Sequence, residues 1–249
     1  MHARVVSATA FVVLVVICSS GPAFGQAPAE PPKIWTVTAS AGLALTSGNS
    51  NTSTINLAYD LTYDPQTKNV VKSDGLYLRG ETEGELSTRR TGINIRDEYK
   101  LTNRIFVFGQ NQYLKDEFKN IDYLLAPTGG IGYKIIDTAA TKFSVDGSLG
   151  MVWEKNPGVD VNSSGALATG QRFSQTLTEN TTLTQAFSGL WKTDDLEDAL
   201  FTLGVTIAAS MSTRTQLKVE ALDTFKNKPP LPTIQANDVA VLVSFVYKI

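Results

Sequence analysis

The 249-residue sequence predicts an all-β fold, a closed antiparallel up-and-down transmembrane β-barrel of about twelve strands with both termini periplasmic. Three observations predict it. From Trp35 onward apolar and polar residues alternate with period 2, the spacing that sends successive side chains to opposite faces of a strand. Several alternating segments reach or exceed the roughly 9–11 residues a tilted strand needs to cross a bilayer. An export leader precedes them all.

The leader is residues 1–25, with a basic start at His2 and Arg4, an apolar run from Ala10 to Cys18 and the small-residue exit Ala23-Phe24-Gly25. The run falls short of the roughly 20 apolar residues of a membrane-spanning helix, so it reads as a cleaved secretory signal peptide. Bulky Val15, Val16 and Ile17 before Cys18 argue against a lipid anchor there. Cleavage removes the only Cys and the only His, and with them any disulfide framework, His-dependent triad or ordinary Cys/His zinc site. It also takes Arg4, so the 22 Lys plus Arg become 21 against 24 Asp plus Glu, a balance of −3 with no basic surface for nucleic acid. Residues 26–33, "QAPAEPPK", form a Pro-rich extended lead-in, and 34–249 form the barrel domain.

The first strand, 34–46, sets Trp35, Val37, Ala39, Ala41, Leu43 and Leu45 on one face against Thr36, Thr38, Ser40, Gly42, Ala44 and Thr46. Across a Ser-Gly-Asn turn, where Gly48 and Asn49 tolerate positive φ, the second strand, 53–63, sets Ile55, Leu57, Tyr59, Leu61 and Tyr63 against Thr54, Asn56, Ala58, Asp60 and Thr62. Turn signals delimit the next four at 74–83, 89–100, 104–114 and 120–135. The seventh, 140–153, opposes Phe143, Val145, Leu149, Met151 and Trp153 to Lys142, Ser144, Asp146, Ser148 and Glu154. After 165–178, 181–192 and 198–209, the eleventh, 213–225, opposes Leu217, Val219 and Ala221 to Arg214, Gln216, Lys218 and Glu220. The last, 237–249, turns Val239, Val241, Val243, Phe245, Tyr247 and Ile249 outward.

A soluble sandwich also alternates, but the connections favour a membrane. With a periplasmic N-terminus, turns after even strands should be short and those after odd strands longer. The even turns 101–103, 135–139, 179–180 and 211–213 obey, while 64–74 does not; the odd connections 154–165, 193–198 and 226–237 are long. Each unpaired backbone group in hydrocarbon costs several kcal/mol, so the sheet closes, with 34–46 beside 237–249. Outward Asp97 and Asp223 lie near strand ends, where a charge is tolerated. Two stretches fit poorly. "RIFVFGQNQYL" at 104–114 has apolar residues on both faces, and Gln171 and Gln175 point outward if Arg172 points in. A bulge at Gly109 or Gly170 would relieve them.

The segments "TSGNSNTS" (46–53), "DEFKNIDYLLAPTGGIGYKIID" (116–137) and "GSLGMVWEK" (147–155) carry a resemblance. With their Ser-Gly-Asn, Asp-x-Phe and Gly-x-Gly-Tyr features and a Gly-rich strand closing on Glu154, they resemble the salt-induced outer membrane protein family, a group catalogued as a domain of unknown function. The likeness covers about residues 36–249. It implies a β-barrel in the bacterial outer membrane and carries over no catalytic or binding residue. Barrel strands there commonly finish on Phe or Trp for the assembly machinery; this chain ends on Ile249, leaving Phe245 or Tyr247 to serve.

Seven acids, Asp60, Glu81, Glu83, Glu98, Asp146, Glu154 and Glu220, and seven bases, Arg79, Arg96, Lys100, Lys142, Arg172, Arg214 and Lys218, are expected on lumen-facing positions. That balance argues against a ring of one sign and leaves two readings, an ion-paired structural lumen or a weakly selective passive pore. Catalysis is not expected: Glu81 and Glu83 suggest an acid/base couple, but Arg79 beside them makes a charge-paired wall. Asp194, Asp195, Glu197 and Asp198 read as a solvated loop ahead of a cation site, and Pro229, Pro230 and Pro232 stiffen the last outer loop, to fold over the mouth or meet a partner. Trp35, Trp153, Trp191, Phe245 and Tyr247 belong to interfacial belts. Neither cofactor nor metal is expected. The expected partners are outer-membrane lipid, lipopolysaccharide and the outer-membrane assembly machinery, and a periplasmic or surface-exposed binding protein is the alternative.

Overall fold

The computed structural model describes residues 34–46, 52–117, 119–231 and 234–249. The leader, the lead-in and the Ser-Gly-Asn turn fall outside the described residues. Twelve antiparallel strands follow in chain order: β1 (Trp35–Thr46), β2 (Thr52–Tyr63), β3 (Asn69–Thr82), β4 (Glu85–Lys100), β5 (Ile105–Asp116), β6 (Ile121–Asp137), β7 (Thr141–Lys155), β8 (Asn162–Thr178), β9 (Thr181–Lys192), β10 (Ala199–Ser210), β11 (Thr215–Lys226) and β12 (Asn237–Lys248). Each pairs with its chain neighbours, and β1 pairs with β12 to close the barrel.

The closing seam is the narrowest pairing, running from Thr38↔Lys248 to Ala41↔Phe245. Beyond it, Asn56 of β2 reaches across β1 and donates from Nδ2 to Ser244 Oγ of β12 at 2.6 Å. Gly42 permits the crossing, because a Cβ there would lie 2.2 Å from Asn56 Oδ1. Both polar side chains are buried, so the bond also satisfies groups that water cannot reach.

Outside, the alternation leaves an apolar band. Leu43, Leu57, Ile95, Ile131, Leu149, Ile207 and Val241 all stand exposed on the outer wall. Aromatic rings border it at both rims. At the rim holding β1's first residue and β12's last, Trp35 packs on Tyr63 at 4.4 Å and Phe143 meets Phe173 edge-on at 6.3 Å. Toward the opposite rim, Trp191 meets Phe201 edge-on at 5.2 Å, with Phe225 6.1 Å from Phe201. Amphipathic rings at two heights flanking an apolar belt are what a bilayer-spanning barrel requires.

The turns at the terminal rim, 64–68, 101–104, 138–140, 179–180 and 211–214, are all short. The awkward connection before β3 shrinks because Asn69–Ser73, which lack clean alternation, pair with β4, and Val71, Lys72 and Ser73 pair with β2 as well. Backbone hydrogen bonding overrides side-chain pattern there. At the opposite rim β3 and β4 join through Glu83 and Gly84, both at positive φ (54° and 81°), as in a type I′ hairpin.

Neither Gly109 nor Gly170 carries a bulge; register shifts occur at Leu114/Asp116, Thr176/Thr178, Lys134/Ile136 and Gly80/Glu81. The stretch 105–116 instead turns Phe106, Phe108 and Leu114 into the lumen. Gln171 and Gln175 remain on the outward face, in register with Val145 and Thr141. Toward the opposite rim the wall from β5 to β10 fills with buried Leu114, Ile121, Leu124, Val152, Leu190 and Leu200. Each such side chain contributes about 1.5–3 kcal/mol, so this barrel has a hydrophobic core inside as well as a lipid-like surface outside.

Candidate functional site

The lumen gathers most of the expected charges in three tiers. Nearest the terminal rim, Lys72 pairs with Glu98 at 2.7 Å, Lys100 with Asp64 at 3.2 Å and Lys134 with Asp137 at 2.8 Å. Lys142 reaches the same Asp137 at 3.8 Å. They line a cavity of about 450 Å³ that also holds Phe106 and Arg172.

In the middle tier Arg96 lies flat against the wall. Its Nε donates to Glu98 at 2.8 Å, Nη1 to Gln110 at 2.9 Å and Nη2 to Asp146 at 3.0 Å. The guanidinium carbon sits 3.5 Å from the Phe108 ring centre, a cation–π contact in a desolvated setting. This is why aromatic residues face inward on β5. Gly132, from the Gly-x-Gly-Tyr segment, is the counterpart on β6: a Cβ there would meet the Phe106 ring at 2.1 Å. Arg172, half exposed, shares Asp146 Oδ2 at 3.1 Å. Across the tier, Asp60 and Asp74 face each other in register on β2 and β3, and Lys218 pairs with Glu220 at 3.0 Å on β11. Asp60, Asp74, Arg96, Asp146, Arg172 and Glu220 line one cavity of about 380 Å³.

At the opposite rim Glu154 Oε2 accepts from Lys192 at 3.0 Å and Lys226 at 3.1 Å. Asp198 holds the same two ammoniums at 2.5 and 3.1 Å. Above β3 and β4 a cavity of about 500 Å³ contains Arg90, which donates to Thr224 across the lumen. The mouth itself is bridged. Asp116 Oδ1 accepts from the Lys119 backbone N at 3.1 Å and shapes the β5–β6 turn. From that turn the fully buried Lys119 ammonium reaches the opposite side of the barrel, donating to the carbonyls of Gln235 and Ala236 at 2.9 and 2.8 Å and pairing with Asp238 at 2.8 Å. The loop after β11 thus lies over the mouth. Lys228 ties it to Asp195 of the β9–β10 loop; that hydrogen bond holds the Asp195 carboxyl below its ordinary range and raises the ammonium. Among the described residues no group of three or more His, Cys, Asp or Glu side chains is placed to hold a metal ion.

Four expected lumen residues stand elsewhere. Register with β2 pairs Leu78 with Asn56 inside and Arg79 with Ile55 outside, so Arg79 and Glu81 lie on the outer wall, ion-paired at 2.5 Å. Leu78, on the cavity wall with Leu222, takes the inward place a charge was expected to hold. Glu83 occupies the hairpin turn, and Arg214 lies in the turn before β11, its backbone N bonded to Ser212 Oγ. The same inversion on β3 brings in two charges that sequence reasoning passed over, Lys72 and Asp74. Lys192 and Lys226 were legible by parity, two residues beyond inward Leu190 and Thr224. Lys119 was not, because it lies in a turn. Trp35, Trp153, Trp191, Phe245 and Tyr247 all face outward, Trp153 in register with Leu125 and Ser163.

Known structures share this architecture. The translocator domain of autotransporter NalP from Neisseria meningitidis superposes with a TM-score of 0.51 at 9% identity, over 88% of this chain and 90% of that one. The COG4313 outer membrane channel from Pseudomonas putida F1 gives 0.51 at 10% identity, over 92% and 100%. At such identities the likeness is one of fold. No curated protein matches the chain. A family model described as "Protein of unknown function, DUF481" matches residues 39–249, and the chain belongs to that family.

Proposed function

We propose that the protein is a non-enzymatic barrel of the bacterial outer membrane, termini in the periplasm, that passes small polar solutes passively. One observation carries the reading: inside a closed wall with an apolar, aromatic-bordered exterior, cavities of about 450, 380 and 500 Å³, each with charged side chains in its lining, succeed one another from rim to rim. Between the middle and outer ones lies a cavity of about 250 Å³ that shares Arg90 and Leu222 with the outer one and Asp60, Asp74 and Leu222 with the middle one. Lys119 and the loop it holds narrow the outer mouth. Arg96, anchored at three points and stacked on Phe108, gives the lumen a rigid waist.

The resemblance of residues 46–53, 116–137 and 147–155 to salt-induced outer membrane proteins supports a role in salt or osmotic response; its measure is transcript and protein level across a salt step. Outward Phe245 and Tyr247 near the end of β12 suit recognition by the assembly machinery, and the exposed rims suit lipopolysaccharide. An envelope structural role is the second reading, favoured by the aliphatic packing that fills the β5–β10 side.

Purified protein in a planar bilayer separates the two. The channel gives stepwise conductance that falls when Arg172 is replaced by Trp, whereas a folded barrel with no steps supports the structural role. Location is tested on membranes: an outer-membrane barrel needs detergent for release and migrates differently before and after boiling.

A further inference from the structure

The middle tier is electrically divided, and this deepens the channel reading on which it rests. On one side Asp60 and Asp74 sit directly opposite each other, and like charges so placed repel. Their polar contacts are weak, from Thr38 Oγ1 to Asp60 at 3.3 Å and from Asn94 Nδ2 to Asp74 at 3.4 Å. Among the described residues neither carboxylate has an ammonium or guanidinium within 4.0 Å, although the lumen's other ion pairs are close. Asn94 Oδ1, buried beside Asp74, meets no donor. This side therefore offers two carboxylates with no paired cation.

The other side carries the reverse excess. Arg96 and Arg172 both bind the single Oδ2 of Asp146, at 3.0 and 3.1 Å. Arg96 also donates to Glu98 and Gln110 and is buried. Among the described residues Arg172 makes only the one ion pair, and its side chain stands 43% exposed. Both sides line the same 380 Å³ space, whose remaining wall mixes small residues such as Ser148, Gly170 and Gly204 with Leu200, Leu222 and the Lys218-paired Glu220.

We propose that this tier is a selectivity site for small zwitterionic solutes, taking an ammonium at Asp60 and Asp74 and a carboxylate at Arg172. A solute carrying both charges meets two complementary surfaces at once, while an ion of either sign is attracted by one wall and repelled by the other.

The test uses the full mature barrel in liposomes, with γ-aminobutyrate as the zwitterion and a butanediol as an uncharged solute of similar size. Each variant is first checked for heat-modifiable migration. Wild type admits γ-aminobutyrate at least about twofold faster than the diol, and Asp60→Asn with Asp74→Asn abolishes the difference. Reversal potentials in a salt gradient then move in opposite directions: the Asn pair shifts the permeability ratio toward anions and Arg172→Gln toward cations. Arg172→Gln shifts the ratio about two- to threefold, as expected for one unit charge several ångströms away in water, and the Asn pair, which removes two, about four- to ninefold. If the Asn pair does not fold, Arg172→Gln carries the test alone through its cation shift and lost preference. Entry ordered by size alone, or variants that shift the ratio the same way, overturns the site and leaves the channel standing. Absence of both conductance and solute entry removes the channel, and the site with it.

Discussion

Glu154→Gln removes one negative charge from the outer tier while keeping the side chain's volume. In the native barrel Glu154 and Asp198 together neutralise Lys192 and Lys226, with Glu154 contacts at 3.0 and 3.1 Å and its side chain only 2% exposed. A contact of that length is worth about 5 kcal/mol by Coulomb's law at an effective dielectric of about 20, before desolvation is counted. After substitution two buried ammoniums share Asp198, and the net charge of the group rises from 0 to +1. Breaking a buried pair from one side costs about 3–5 kcal/mol, because the surviving charge keeps its desolvation penalty. The assay is reversible urea unfolding from lipid vesicles, followed by fluorescence of Trp153 and Trp191. A second substitution, Lys192→Met, restores neutrality and recovers at least about 2 kcal/mol of the loss. A loss under about 1 kcal/mol for Glu154→Gln, or a double variant weaker than the single, would refute the view that charge balance holds this tier together.

Further outcomes follow from the two faces of the wall and from the mouth. Leu149→Arg, on the outer wall halfway along β7, should cost about 2–4 kcal/mol of vesicle-embedded stability, whereas the adjacent lumen-facing Ser148→Arg should cost under about 1; equal losses contradict the assignment of faces. Gly132→Ala forces the Phe106 ring off its seat and should destabilise by about 1–3 kcal/mol, an effect that Phe106→Leu relieves. Gly92→Ala, where a Cβ meets open space, is the matched control and should be close to neutral in the same unfolding assay. Lys119→Met breaks charge-assisted bonds to the loop over the mouth, each worth about 1.5–3 kcal/mol, and should give larger, more variable conductance steps; unchanged steps would mean the loop does not restrict the mouth. For Asp195, the Lys228 hydrogen bond depresses the carboxyl pKa. The contact is therefore complete above the ordinary carboxylate range near pH 4 and is lost as pH falls through the lowered value. Carboxyl carbon NMR in micelles should place the Asp195 midpoint below the ordinary aspartate range, moving up in Lys228→Met.

The sequence by itself determined the barrel. Period-2 alternation is written into β1, β2, β7, β11 and β12 because one face of each meets hydrocarbon, and lipid imposes a single chemistry along that whole face. The need to pair every backbone group then dictated closure of β1 on β12. Asp60, Arg96, Glu98, Asp146, Glu154, Arg172 and Glu220 were legible as inward for the same reason. What only the tertiary structure decided was the lumen's contents. An interior wall obeys no uniform rule: it takes Leu78 at one height, Phe106 and Phe108 at another and Arg96 between them, each chosen by the strand across from it. Thus the face of Arg79 and Glu81 was set by register with β2. The waist at Arg96 depends on β4, β5 and β7 converging, and the bridge from Lys119 to Asp238 joins residues more than a hundred positions apart. Contacts across a closed lumen are set by which strands end up opposite one another, and no local spacing records that.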